Sequence, residues 1–280
     1  MTIDIDTDNA RGCVEVSLSE DFGWRLQSDG PVRVWLKGWL SESDLRRITE
    51  YLGSAEAPSP TAIDEALQQV NSHFALVAHC PNWTLAIVDW VRSIPIAATK
   101  VNGRWVVDDQ PNRLRNKAGL DRGSINVGAA RSIAMAGYTI GEDTLYRGLE
   151  VLGPGELLLI RNGEEPIRHR YYTYIPSDVE TFEQERAVSD LAETTLEIME
   201  RMLDSLDGRP LLVPLSAGND SRLIVSAAKH LGYKDVRCFT YGRAGNFEAA
   251  TSKAIAERLG YSWRFVPITT SSARRFFASD

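Results

Sequence analysis

The segment Leu211-Leu-Val-Pro-Leu-Ser-Ala-Gly-Asn-Asp-Ser-Arg222 constrains this chain more than any other. A short apolar run stops in small and hydroxyl residues, and an amphipathic helical pattern opens directly behind them. Leu211, Leu212, Val213 and Leu215 read as a strand buried on both faces. Ser216 to Ser221 then offer backbone N–H groups and hydroxyls at a helix N-terminus, where anions are favoured. Gly218 lets the backbone approach a ligand closely, and Asp220 is placed to hold a magnesium ion beside phosphates. No GxxxxGK[ST] pattern occurs, so this is not a Walker loop. Taken alone, such a turn is also ordinary punctuation between a strand and a helix.

Residues 222–268 repeat the grammar. Arg222 to Leu231 reads as a helix ending at Gly232, and Val236 to Gly242 as a second strand. Glu248 to Leu259 reads as a second helix ending at Gly260, and Trp263 to Ile268 as a third strand. Strands and helices alternating at these lengths imply a parallel sheet, with ligands beyond the carboxyl ends of the strands, so Ser216 and Tyr241 share one rim.

The turn resembles the SGGxDS pyrophosphate loop of ATP pyrophosphatases, with Ala217 in the first glycine position. Together with PLSAGNDSR, FTYG, the glutamate opening the next helix and AIAERLGY, it resembles the synthetase domain of the asparagine synthase family. The resemblance implies ATP and Mg2+ as cofactors. Adenine would lie near Val213, Leu215 and Thr240, the leaving pyrophosphate on Ser216, Gly218, Asn219 and Ser221, and magnesium on Asp220 and Glu248. The implied reaction is adenylation of a carboxylate followed by displacement of AMP by ammonia or an amine. Trp263-Arg-Phe265 stands where that family commonly has HHE, which weakens aspartate as the acceptor.

Residues 1–175 have a different texture. Val32 to Leu40 alternates like a strand, Ser43 is expected to cap a helix from Asp44 to Tyr51, and Ala62 to Val70 reads as another helix. Phe74 to His79 and Thr84 to Val88 form a hairpin. Ile96 to Val101 with Trp105 to Asp108, around Asn102-Gly103, and Glu156 to Arg161 with Ile167 to Tyr172, around Asn162-Gly163, form two more. With a helix from Gly128 to Ala136, this predicts an α+β domain of antiparallel sheets.

This order resembles the glutamine amidotransferase domain that precedes the synthetase in asparagine synthases. Leu36-Lys-Gly-Trp-Leu40 stands in the place of NGEIYN, Ile87 to Pro95 in the place of GRDxxGxxPL, and Tyr138 to Gly155 in the place of GYIPxxxTLFxGIxxLxPG. The implied fold is an Ntn-hydrolase-like antiparallel sandwich, followed from residue 176 to 280 by a partial α/β parallel-sheet domain of the adenine nucleotide α-hydrolase (HUP) type. The departures bear on activity. Thr2 stands where the family exposes a catalytic cysteine, and Ile3-Asp-Ile-Asp6 lacks the glycine that follows it. Cys13 is internal; Gly38 is followed by Trp39 and Leu40; Val88 replaces the arginine before Asp89. The expectation is a degenerate amidotransferase domain without glutaminase activity. Asp89, with Arg92 and Ser93 nearby, reads better as a turn anchor or salt-bridge residue than as a new active site, and Trp35, Trp39, Trp83, Trp90 and Trp105 as sheet core or interface.

Asp178 to Leu206 reads as one long polar helix. The residues after Leu211 give three strands and two helices, fewer than the family's synthetase domain, so a C-terminal continuation or a second chain is expected to complete the site. A homodimer also stays open. The rival reading is a nucleotide-binding pseudoenzyme or assembly subunit.

Composition narrows the classes that remain. Among 280 residues, 43% are hydrophobic and 25% charged, ordinary for a globular chain. The net charge of -7 has no basic cluster, which argues against nucleic acid as a partner. No apolar run reaches membrane-spanning length and the start is not a signal peptide, so the expected compartment is the cytoplasm. Cys13, Cys80 and Cys238 form no pair, and His73 and His79 near Cys80 are better read as buried or rim residues than as zinc ligands.

Overall fold

A computed structural model of the chain describes residues 2–5, 14–19, 23–53, 56–176 and 183–278. The chain divides into two compact units, Met1–Pro176 and Ser177–Asp280. Asp6 and Cys13 lie outside the described residues.

The first unit contains β1 (Thr2–Ile5), β2 (Val14–Ser19), β3 (Arg25–Asp29), β4 (Arg33–Gly38), α1 (Glu42–Glu50), α2 (Pro60–Gln68), β5 (Phe74–Cys80) and β6 (Trp83–Val88). These are followed by β7 (Ala97–Val101), β8 (Arg104–Asp108), α3 (Pro111–Lys117), α4 (Val127–Ala136), β9 (Leu149–Val151), β10 (Glu156–Arg161) and β11 (Ile167–Arg170). The strands form two sheets, ordered β1-β2-β8-β7-β9 and β11-β10-β6-β5-β4-β3. Between them Val16, Leu18, Ala98 and Val107 pack with Trp35, Val77, Val88 and Leu158. On the outer face of the six-stranded sheet, Phe74, Leu76, Trp83, Leu85 and Leu157 pack with Ile48 of α1 and with Ile63 and Leu67 of α2. Leu114 of α3 packs with Ala97, Val106 and Leu149 on the outer face of the other sheet. The result is an α+β fold in layers, with β5 buried along its whole length because both its faces are covered.

Local chemistry accounts for the turns. Asn102 and Gly103 take φ of +51° and +82°, and Val101 pairs with Arg104, so β7 and β8 close through the two-residue turn that this dipeptide favours. Asn162-Gly163 behaves differently: the β10–β11 ladder stops at Leu159 and Ile167. Asn162 instead ties across to the β5–β6 tip, its amide nitrogen donating to the Pro81 carbonyl at 2.6 Å. The cap of α1 is Ser41, not Ser43, since Ser41 Oγ accepts from the Asp44 N–H at 3.1 Å. The sheets are not wholly antiparallel either, because β2 runs parallel to β8.

The second unit contains α5 (Gln184–Ser205), β12 (Leu211–Pro214), α6 (Asn219–His230), β13 (Val236–Gly242), α7 (Phe247–Leu259), β14 (Ser262–Pro267) and α8 (Thr270–Ala278), the last an element the sequence pattern did not suggest. The three strands are parallel, in the order β12-β13-β14. Val213, Leu215, Val236 and Cys238 pack with Met199 and Leu203 of α5, Val225 and Ala228 of α6, and Ala256 of α7. The expected strand buried on both faces is corrected here: β12 stands at the edge of the described sheet and its burial alternates, leaving Leu212 62% exposed.

Candidate functional site

The turn between β12 and α6 is anchored from below. The Leu215 N–H donates to the Phe239 carbonyl at 2.8 Å. Its own carbonyl accepts the hydroxyls of Thr240 at 2.7 Å and of buried Ser252 at 3.0 Å. The Trp263 indole N–H in turn donates to Thr240 Oγ1 at 3.0 Å. Two strands and one helix therefore fix the point where the chain leaves the sheet. Ser252 was not singled out by sequence reasoning, Trp263 only for its place in the third strand and in the place of HHE, and only the folded register reveals their part in holding the turn.

Above that point the turn is built from its own serines. The Ser216 N–H donates to Ser221 Oγ at 3.0 Å, the two hydroxyl oxygens lie 3.0 Å apart, and the Gly218 N–H donates to Ser216 Oγ at 3.1 Å. Gly218 is the N-cap of α6, in extended conformation, and no side chain caps the helix. A Cβ at Gly218 would sit 3.2 Å from Ser216 Oγ, so glycine here keeps the turn tight rather than supplying an unusual φ. The first-turn N–H groups of Asn219 and Asp220 thus lack a capping side chain, and they carry the positive end of the helix dipole. Arg222 adds a cation that the sequence reading overlooked. Its Nε donates to the Gly218 carbonyl at 3.2 Å and its terminal nitrogen bonds Asn219 Oδ1. The signal was available, because residues three and four positions apart on a helix are neighbours.

The predicted residues do not all play the same part. Ser216, Gly218, Asn219 and Ser221 gather at one helix end. Val213 and Leu215 point into the apolar core, and Thr240 is buried beneath the turn with its hydroxyl spent on Leu215. Their side chains are therefore committed to the core and to the support of the turn. Asp220 is exposed in the first turn of α6, and Glu248 is half-buried in the first turn of α7, whose cap is Asn246. Because β12 and β13 are parallel neighbours, both helices begin at the same rim of the sheet. Among the described residues no group of three or more His, Cys, Asp or Glu side chains gathers in metal-binding range. A magnesium ion held by Asp220 and Glu248 would take its other oxygens from phosphate and water, as that ion commonly does.

In the first unit Asp89, Gly38, Trp35, Trp83 and Trp90 are structural. Asp89 is fully buried, and its carboxylate accepts the N–H groups of Phe74 at 3.0 Å, Val91 at 3.0 Å and Ser93 at 3.1 Å, with Ser93 Oγ at 3.3 Å. It anchors a turn, in which Arg92 takes a φ of +56°. Gly38 has a φ of +88°, and a Cβ there would fall 2.3 Å from the His73 carbonyl, so no other residue fits. Trp83 and Trp35 lie on opposite faces of the six-stranded sheet, and Trp90 stacks on Tyr172 at 4.3 Å. His79 Nδ1 bonds Thr84 Oγ1 at 2.7 Å beside buried Cys80. Burial pushes the Cys238 thiol above its ordinary range, which disfavours a reactive thiolate.

A buried polar cluster went unseen in the sequence. Asp109 accepts from Ser19 N–H at 3.1 Å, Trp24 Nε1 at 2.8 Å and Arg113 at 3.1 Å, with Lys37 3.7 Å away. Arg113 also forks onto both Asp108 oxygens, at 2.6 and 2.7 Å. The cluster ties β2 and β8 to β4 and α3. Burial outweighs the Arg113 contacts and raises the Asp108 carboxyl above its ordinary range.

No family model matches the chain, and no curated protein matches it. Among solved structures it is similar to a glutamine phosphoribosylpyrophosphate amidotransferase from B. subtilis, at 14% identity and a TM-score of 0.32, covering 90% of this chain and 52% of that one. A second structure, of the allosteric regulatory enzyme of purine biosynthesis, aligns at 15% identity and a TM-score of 0.29, covering 91% and 51%. The chain therefore spans about half the length of these structures, and at such scores the likeness carries no weight for function. Among the described residues no helix is long and apolar enough to cross a membrane.

Proposed function

We propose that the second unit binds the phosphate tail of ATP at the β12–α6 turn and serves an asparagine synthase-like, AMP-forming ligase that adenylates a small carboxylate and releases pyrophosphate. The observation that carries this reading is the uncapped N-terminus of α6, set beside the paired hydroxyls of Ser216 and Ser221 and the guanidinium of Arg222. These groups are fixed before any ligand arrives, so the leaving pyrophosphate meets donors already in position. Asp220 and Glu248 would hold Mg2+, which supplies charge neutralisation of the phosphates when bound. Residues 1–175 serve in this reading as an Ntn-hydrolase-like scaffold without glutaminase activity, and residues 176–280 as the start of a HUP-type domain. The nitrogen then comes from free ammonia or an amine substrate.

The test is titration calorimetry with Mg-ATP, joined to a pyrophosphate-release assay with aspartate or a sugar carboxylate. Ser221→Ala is expected to weaken ATP binding about tenfold, the effect of losing one charge-assisted hydrogen bond. Asp220→Ala is expected to remove the magnesium dependence. Absence of any nucleotide binding by the intact chain overturns the proposal. The second reading, a nucleotide-binding assembly subunit, is favoured by the edge position of β12, which leaves the rim bounded on one side only. ATP binding that Asp220→Ala abolishes, with no pyrophosphate released by the parent chain, supports that reading instead.

A further inference from the structure

Beneath the β12–α6 turn two hydroxyls lie inside the apolar core of the second unit. Thr240 shares the covered face of β13 with Val236 and Cys238, where valine would fill the same shape, and Ser252 lies buried on α7 beside the same core as Ala256. Burying a hydroxyl costs stability unless its hydrogen bond is made, and an apolar residue at either position would avoid that demand. Both hydroxyls converge on one atom. The Leu215 carbonyl oxygen accepts Thr240 Oγ1 at 2.7 Å and Ser252 Oγ at 3.0 Å, which occupies both of its lone pairs.

The bonds run in one direction. The Trp263 indole N–H donates to Thr240 Oγ1 at 3.0 Å, and the Thr240 hydroxyl donates onward to Leu215. The peptide group joining Leu215 to Ser216 is planar and trans, so a carbonyl fixed from below also fixes the Ser216 N–H on its opposite side. That N–H donates to Ser221 Oγ at 3.0 Å. With its oxygen held as an acceptor, the Ser221 hydroxyl is turned to donate. Hydrogen bonds aligned in series polarise one another, so each link strengthens the next. Trp263 on β14, Thr240 on β13 and Ser252 on α7 thereby reach the first turn of α6 through a single peptide plane.

We propose that Thr240, Ser252 and Trp263 are positioning residues for phosphate binding: they set the tilt of the Leu215–Ser216 peptide, and that tilt aims the Ser221 hydroxyl at the phosphate tail. This role rests on the reading of the turn as an ATP site and adds three residues that touch no ligand. Either hydroxyl alone holds the carbonyl, whereas Trp263 acts only through Thr240.

The test is a set of variants in the intact chain, with Mg-ATP affinity measured by calorimetry and the Ser216 amide followed by hydrogen exchange. Thr240→Val and Ser252→Ala are each expected to weaken binding about threefold, and the double variant about thirtyfold, more than the product, because only then is the carbonyl released. Trp263→Phe is expected to cost about twofold in the parent and nothing in the Thr240→Val background, while Thr240→Ser, which keeps the hydroxyl, retains parent affinity. Exchange at the Ser216 amide is expected to quicken about tenfold in the double variant, while that of buried Val225 in α6 stays within about twofold. Unchanged affinity, losses that merely multiply, or exchange that quickens equally at both amides overturns the positioning role and leaves the ATP reading standing. A parent chain that binds no Mg-ATP overturns both.

Discussion

β5 is an inner strand and β12 an edge strand of the described sheet, both apolar, and they are buried by different rules. From Phe74 to Cys80 every residue of β5 is buried, because α1 and α2 lie on one side of its sheet and the second sheet on the other. In β12 only Leu211 and Val213 are buried, because α5, α6 and α7 contribute to a single core. The difference teaches that apolar character specifies that a strand can be covered, while the number of layers around it decides how much of it is. Among the described residues, unit one covers both faces of β5 and unit two covers one face of β12.

The contrast between the strands breaks most easily at core positions. Phe74→Ala is expected to destabilise the first unit by about 3–5 kcal/mol, and Leu212→Ala, measured in dilute protein, to change the second by less than about 0.5 kcal/mol. Urea unfolding followed by circular dichroism reads both, and similar costs at the two sites would show that β12 is covered after all. Gly38→Ala comes next, at about 2–3 kcal/mol, since it sets a Cβ against the His73 carbonyl at an unfavourable φ. Asn246→Ala, which removes the acceptor 2.8 Å from the Ala249 N–H, is expected to cost about 1 kcal/mol and to act on the second unit alone.

The smallest effect concerns the buried cluster of the first unit. The Asp108 carboxyl titrates above its ordinary 3.8 in the folded chain, so between that value and its folded value the folded state keeps a proton that the unfolded state has released. Stability therefore falls as pH rises through that window, is unaffected by this group below it, and carries a constant cost above it. Asp108→Asn removes the slope. Unfolding midpoints of the parent and variant, compared from below to above the window, should converge as pH drops; a gap independent of pH would place the shift elsewhere.

Much of the local structure was legible in the residues. The β5–β6 hairpin, the Asn102-Gly103 turn, and the strands and helices from Leu211 to Ile268 follow from apolar spacing and glycine placement, which act over a few neighbours. The geometry of the candidate site was legible in part, because hydroxyls and glycine just before an amphipathic pattern place Ser216, Gly218 and Ser221 at one helix start. What escaped was whatever joins distant segments. Ser19, Trp24 and Lys37 meet Asp109 across most of the first unit, and Ser252 and Trp263 secure the turn from α7 and β14. The parallel pairing of β2 with β8 and the break in the β10–β11 ladder belong to the same class.

By itself the amino-acid sequence determined many of the strands and helices and which turn gathers hydroxyls and glycine at a helix start, since propensity, capping and alternation are properties of adjacent residues. Tertiary structure alone decided that Leu212 faces outward, that Val213, Leu215 and Thr240 support the turn from within, and that Arg222 stands beside it. Burial and charge proximity depend on which layers come to lie against a strand, and no local pattern encodes a layer that is or is not there.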